Sequence, residues 1–101
     1  MGKKKPHYPL SDVQQAVKER GVNAFTATAL TGAAALGLSS DQDVAVVLGL
    51  KRNAFYKSMT TNADHTIWQD VYHTVLKSGL VAYIKVTLRD NGTVVIQFKE
   101  K

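Results

Sequence analysis

Two alternating runs near the C-terminus, Tyr83–Leu88 (YIKVTL) and Thr93–Lys99 (TVVIQFK), flank Asp90-Asn91-Gly92 and narrow the possible folds more than any other stretch. Successive side chains on a strand point to opposite faces, so the register of the turn decides which residues share a face. A two-residue Asn91-Gly92 loop of type I′ would set Ile84 against Lys99 and Val86 against Gln97, mixing apolar with polar. A three-residue loop with Gly92 in the left-handed position of a G1 bulge sets Leu88 against Val94, Val86 against Ile96 and Ile84 against Phe98. One face is then apolar throughout. The other carries Thr87 with Val95, Lys85 with Gln97 and Tyr83 with Lys99. The second register is the one expected.

The rest of the chain is read outward from this hairpin. Ile67–Leu76 fits a helical period, but its β-branched and aromatic residues favour a strand, and Lys77-Ser78-Gly79 then offers a second three-residue turn. That pairing sets Gln69 against Thr87, Val71 against Lys85 and His73 against Tyr83, and sends Trp68, Tyr72 and Leu76 to the core. Phe55–Thr61 also alternates, with Phe55, Lys57 and Met59 on one side and Tyr56, Ser58 and Thr60 on the other. Upstream the period changes. Ser11 and Gln14 have capping-box spacing with Leu10 as the staple, and Val13, Ala16 and Val17 form one stripe that ends at Gly21. Thr26 or Thr28 caps an alanine-rich helix, Ala29 to Leu36, closed by Gly37, with Gly32 permitting close packing. Ser39 and Ser40 lead Asp41 and Asp43 into a third helix through Leu48, with Val44, Val47 and Leu48 facing inward. Met1–Pro9 is a basic arm, either mobile or laid over the surface. The expected fold is α+β in a single domain spanning 1–101, with short N-terminal helices packed on a C-terminal antiparallel sheet.

Composition then limits the function. The 101 residues contain no cysteine, which excludes thiolate catalysis and cysteine metal sites, and 13 Lys plus Arg against 8 Asp plus Glu give a formal net charge of +5. Such a balance suits a polyanion or an acidic partner. The apolar runs fall far short of the roughly 20 residues that span a bilayer, and MGKKKP lacks the apolar stretch of a secretory signal. No membrane partner is expected, and the cytoplasm is the expected location.

Asp64-His65 and Asp70-x-x-His73 offer ligand types, but nothing repeats at zinc-motif spacing, so no metal or other cofactor is expected. No serine sits in a nucleophile elbow. A basic, hydrogen-bonding face remains, with Lys57, Lys85 and Lys99 beside Tyr83. On RNA, cleavage by the 2′-OH requires a proton acceptor, a proton donor to the leaving 5′-oxygen and positive charge on the phosphorane. Lysine and tyrosine supply all three, provided that neighbouring cations lower their pKa values from about 10.4 and 10. The same face would serve a non-catalytic RNA-binding module with Tyr83 as a stacking ring, a protein-interaction domain, or an ordinary solvated surface.

The runs FYKSMTT (55–61), DHTIWQDVY (64–72), AYIKVTL (82–88) and QFKEK (97–101), together with the PHYPLSDV start and Gly49-Leu50, closely resemble the MqsR family of type II toxins. The resemblance covers most of the chain and is most specific in the C-terminal half. It implies a RelE-like mRNA interferase: an endoribonuclease that cuts mRNA at GC-containing sites without the ribosome, is neutralised by a zinc-binding antitoxin, and arrests growth. The family's functional residues fall on Lys57, Gln69, Tyr83 and Lys99, which are expected to be catalytic, with Met59 lining the site. A further family histidine is replaced in the stretch Leu88-Arg89-Asp90. Lys85, Gln97 and His73 share the same face and are expected to contact RNA. The expected chemistry is metal-independent transphosphorylation leaving cyclic phosphate and 5′-hydroxyl ends.

Overall fold

Alternation over the last half of the chain builds an antiparallel meander. A computed structural model describes residues 2–61, 63–89 and 93–101. Among the described residues the elements run β1 (Gly2–Lys3), α1 (Leu10–Arg20), a 3-10 turn (Gly21–Ala24), α2 (Ala27–Ala35), α3 (Ser40–Leu48), a second 3-10 turn (Arg52–Ala54), β2 (Phe55–Thr60), β3 (Trp68–Val75), β4 (Val81–Leu88) and β5 (Val94–Glu100). The sheet order is β1-β2-β3-β4-β5, an α+β arrangement.

The expected hairpin register holds, with Leu88 opposite Val94, Val86 opposite Ile96, Ile84 opposite Phe98 and Tyr83 opposite Lys99. Its loop, Asp90-Asn91-Gly92, lies outside the described residues. The preceding hairpin pairs Val71 with Lys85 and His73 with Tyr83. Its turn has the anticipated form: Leu76 N–H donates to the Leu80 carbonyl at 2.8 Å, and Gly79 takes φ +90°, a conformation that glycine adopts without a Cβ penalty.

Helices cover one face of this sheet. Tyr72, Ala82, Ile84, Val86, Val94, Ile96 and Phe98 are buried against Val13, Ala16 and Val17 of α1, Ala29 and Ala33 of α2, and Val47 of α3. Close contact between α2 and β5 depends on Gly32, where a Cβ would collide with the Phe98 carbonyl oxygen. Thr26 caps α2 by accepting from Ala29 N–H at 3.0 Å.

Four local expectations are corrected. Pro9, not Ser11, stands at the start of α1, its carbonyl accepting from Asp12 and Val13. Leu10 is thereby inside the helix, packed against the core. Gln14 is free to act elsewhere, and its Nε2 donates to the carbonyls of Val47, Leu48 and Leu50 at 3.2, 3.1 and 2.9 Å, a side-chain donor for the carbonyls at and just beyond the end of α3, of which that of Val47 also accepts from Leu50 N–H. A capping box does form, but at Ser39 and Gln42. Leu48 is 38 % exposed, and Val46 packs inward in its place. Trp68 lies on the inner side of the sheet but outside the helix-covered core, beneath the N-terminal arm: the His7 ring stacks on it at 5.1 Å and Lys3 Nζ sits 4.3 Å from its ring.

The arm is laid over the surface and anchored. Backbone N–H groups of His7 and Tyr8 donate to the two oxygens of Asp70 at 2.9 and 2.8 Å, and the Tyr8 hydroxyl donates to the Trp68 carbonyl at 3.0 Å. Beyond it, Gly2 pairs with Met59 and Lys3 with Ser58 as a short edge strand. Asp70, a buried carboxylate, is thus satisfied by backbone donors.

Candidate active site

The sheet face away from the helices gathers Lys57, Met59, Gln69, His73, Tyr83, Lys85, Gln97 and Lys99, the residues expected to cleave or contact RNA. One cross-strand row runs Lys57, Val71, Lys85, Gln97 over β2 to β5. A second runs His73, Tyr83, Lys99, and Met59 pairs with Gln69 on the far side of the first row. Val71 is fully buried on this face, an apolar floor in the row between Lys57 and Lys85. Lys57, Gln97 and Lys99 are exposed, while Met59, Gln69, His73, Tyr83 and Lys85 are half-buried.

A β-bulge completes the arrangement. The register shifts between Phe55, which pairs with Tyr72, and Lys57, which pairs with Val71. Tyr56 is the additional residue. The simple alternation expected for this strand therefore fails at its start: Phe55 turns to the core beside Tyr72, with ring centroids 5.6 Å apart, whereas Tyr56 joins Lys57 and stacks on His73 at 4.3 Å.

At the other end of the face a cleft of about 330 Å³ lies between the start of α2 and strands β4 and β5, lined by Thr26, Thr28, Tyr83, Lys85, Gln97 and Lys99. Lys57, Met59 and Gln69 lie outside this cleft, on the β2–β3 half of the face. Thr28 and Tyr56 are the additions that sequence reasoning missed. No strand pattern marks Thr28, because helix packing alone brings it to the sheet, and Tyr56 is hidden by a bulge that alternation does not reveal.

The electrostatics assign different tendencies to the titrating groups. Tyr83 has Lys99 Nζ 5.1 Å and Lys85 Nζ 5.7 Å from its ring. Even so, burial, with Tyr56 adding to it, raises the phenol above its ordinary value; the expectation that neighbouring cations would lower it is corrected. Partial desolvation of the phenolate outweighs the lysines at these separations. Lys85 moves the other way: burial first, then Lys99 and Lys57, lowers its ammonium below the usual lysine value. Burial, with Lys101 and Lys57, also lowers His73, so its imidazole is neutral at pH 7. The face thus combines a phenol that holds its proton, an ammonium that yields one more readily, and two further exposed ammoniums. Asp70, considered above as a ligand type, is occupied by the arm on the opposite side of the sheet.

Residues 5–100 match the family model described as the motility quorum-sensing regulator, toxin of MqsA. Across its whole length, and the whole length of the relative, the chain is 46 % identical over 101 residues to the mRNA interferase toxin MqsR of Escherichia coli (strain K12). With both the match and the full-length identity in place, the chain belongs to the MqsR toxin family.

Proposed function

We propose that this chain, a toxin mRNA interferase by its family, cuts mRNA at GC-containing sites on the β2–β5 face by transphosphorylation, without a metal ion. Attack of the ribose 2′-oxygen forms a 2′-O–P bond and breaks the P–O5′ bond, leaving a 2′,3′-cyclic phosphate and a 5′-hydroxyl. Lys85, whose ammonium is the more readily deprotonated, takes the 2′-hydroxyl proton as general base. Tyr83, whose phenol retains its proton, donates to the departing 5′-oxygen. Lys57 and Lys99 hold the charge that builds on the phosphorane, a role in which positioned cations contribute strongly, and Gln69 orients the phosphate. Met59, Gln97 and His73 contact the neighbouring nucleotides.

The observation that carries this reading is the cross-strand register that places Lys57, Lys85, Tyr83 and Lys99 on one side of the sheet. The ammoniums of Lys57 and Lys99, joined by Lys85 once it has taken the 2′-hydroxyl proton, provide the positive charge for which other phosphoryl-transfer sites recruit metals. An mRNA substrate places the toxin in the cytoplasm, and the basic face suits neutralisation by its antitoxin, proposed to be zinc-binding.

The test uses the purified chain in EDTA on an RNA oligonucleotide carrying one 2′-deoxy substitution at the mapped cut site. The unmodified RNA is expected to yield cyclic phosphate ends, and the substituted RNA to bind yet resist cutting there. Cutting at the 2′-deoxy nucleotide would show that an activated water attacks instead. Retention of unmodified RNA without any cleavage would favour an RNA-binding module.

A further inference from the structure

The cleft beside the site lysines has two chemically different sides. Its floor on β4 and β5 carries Tyr83, Lys85 and Lys99, which the proposed chemistry commits to the phosphate and its protons. The opposite side is uncharged: Gln97 at the β5 end of the Lys57–Lys85 row, and Thr26 and Thr28 at the start of α2. A nucleotide has the same two parts, an anionic phosphate and, one sugar away, a neutral base.

The uncharged wall is held in place by backbone contacts. Thr26 N–H donates to the Ile96 carbonyl at 3.2 Å, beside a parallel bridge between Phe25 and Ile96. Farther along α2, Gly32 lets the helix lie against the backbone of Phe98 and Lys99. Thr28 stands between these two anchors, so its place beside β5 is fixed before any ligand arrives, and a group positioned in advance loses little freedom on binding.

The polar groups on that wall differ in what they have left to offer. Thr26 is already engaged, since its hydroxyl oxygen accepts from Ala29 N–H at 3.0 Å. Gln97 and Thr28 are both exposed, and among the described residues neither side chain has a hydrogen-bond partner. A carboxamide sets an N–H donor beside a carbonyl acceptor at fixed spacing, and a hydroxyl can act as either. The edge of a nucleobase also carries donor and acceptor side by side, and single-stranded RNA is recognised chiefly through such edges. A phosphate, which only accepts, would leave the Gln97 carbonyl without a partner. The cleft holds about 330 Å³, at the small end of the roughly 300–1,000 Å³ usual for ligand pockets, which suits one base and not a longer segment.

We propose that this side of the cleft is a nucleobase subsite: Gln97 pairs through its carboxamide with the edge of a base adjacent to the scissile phosphate, and the Thr28 hydroxyl makes a further hydrogen bond to the same base. The proposal rests on the nuclease reading for its ligand class and gives the RNA contact of Gln97 a specific form. Thr28, which that reading leaves idle, becomes a specificity residue. The two decide which base is accepted, not how the bond breaks.

The experiment uses pentanucleotides of RNA made uncleavable by 2′-fluoro sugars, with each position changed in turn through the four bases and binding to the full chain read by fluorescence anisotropy. At one position the wild type is expected to bind its preferred base about tenfold more tightly than the worst, the scale of one bidentate base contact. Gln97→Met, which keeps the length of the side chain without its polar atoms, and Thr28→Val, which replaces the hydroxyl by a methyl, should each cut that ratio to about threefold or less, as expected on losing the hydrogen bonds, while binding the disfavoured base as the wild type does. Both side chains are exposed, so both variants are expected to melt at the wild-type temperature; Gln97→Leu and Thr28→Ala replace a variant that does not. Absence of any base preference in the wild type overturns the proposal, and so does an equal weakening for all four bases in both variants, the sign of a plain contact. A ratio unchanged in one variant removes that residue from the subsite. The readout is discrimination on RNA that cannot be cut, so a chain that discriminates here yet leaves natural RNA intact defeats the nuclease reading and keeps the subsite, and one that cuts natural RNA without discriminating here does the reverse.

Discussion

The two faces of β4 and β5 are written in alternate residues of the same strands, and they have little else in common. Inward, Ala82, Ile84, Val86, Ile96 and Phe98 are buried against three helices, so each is held by shape and by apolar area removed from water. Outward, Tyr83 and Lys85 are half-buried and Gln97 and Lys99 exposed, and among the described residues of this face only Val71 is a fully buried hydrophobic side chain. Because period two separates the faces, stability and chemistry are divided by parity. A toxin built this way can change its site residues without repacking its core, and the reverse. The inner face is itself uneven: helices cover β3 to β5, whereas over β2 and the start of β3 the cover is the arm, fastened through Asp70.

The largest effect expected from this division is on cleavage. Removing one charge that stabilises a transition state costs about 10²–10³ in rate, so Lys57→Ala should cut RNA that much more slowly while its thermal unfolding midpoint stays within a degree or two of wild type. On the inner face, Ile84→Ala should lose roughly 2–5 kcal/mol of stability yet retain its turnover at temperatures where it is folded. Denaturant titration and a single-turnover cleavage assay on both variants decide the matter. Normal cleavage by folded Lys57→Ala removes that lysine from the site, and slow cleavage by folded Ile84→Ala breaks the separation of the faces.

The same parity explains what is legible in the chain without coordinates. Ile84, Val86, Ile96 and Phe98 can share an apolar face in only one hairpin register, so the placement of Tyr83, Lys85, Gln97 and Lys99 follows from them, and that of Val71 and His73 from the next turn. Patterns of this kind report burial. They are silent about backbone irregularities and about long-range polar contacts. FYKSMT alternates as well without a bulge as with one, so alternation alone puts Tyr56 on the wrong side. Ser11 and Gln14 have the spacing of a capping box, but Gln14 is used across the core by the end of α3, a partner 33 or more residues away. Asp70 reads as a ligand type because nothing in a local window shows that the backbone at His7 and Tyr8 will return to it.

A second test sharpens the division within the outer face. Lys85 is half-buried and its ammonium is lowered, first by burial and then by Lys99 and Lys57, whereas Tyr83 is raised. If Lys85 is the base and Tyr83 the acid, the active form has a neutral amine beside a protonated phenol. Below the lysine pKa the rate should then climb about tenfold per pH unit, levelling as Lys85 loses its proton. Lys85→Arg keeps the positive charge but cannot deprotonate in the accessible range, so its profile should be flat where the wild type rises. A rising limb preserved in Lys85→Arg would assign the 2′-hydroxyl proton to another group.

The smallest effect concerns the helical layer itself, where one residue violates the rule that charge belongs outside. Asp43 is 1 % exposed, its Oδ1 has no hydrogen-bond partner, and burial raises its carboxyl from 3.8 to about 6. Its position in the first turn of α3 favours the ionised form through the helix dipole, but desolvation wins. The folded state therefore holds this proton more tightly than the unfolded chain. Folding takes up a proton between about pH 4 and 6, and the contribution of Asp43 to stability is greatest below its unfolded pKa and is lost as pH rises through about 6. At neutral pH the group is ionised in both states, and the cost of burying its charge is fully present. Asp43→Asn removes that cost, so it should raise stability by about 1–2 kcal/mol at about pH 7.5 and by roughly a third of that at about pH 4.5, where the folded carboxyl is still protonated but most unfolded chains have lost the proton. Comparing variant with wild type at each pH cancels the titration of every other group. Paired thermal or urea unfolding at the two pH values makes the measurement, and a difference that is the same at both would show that the Asp43 carboxyl titrates alike in the folded and unfolded chain.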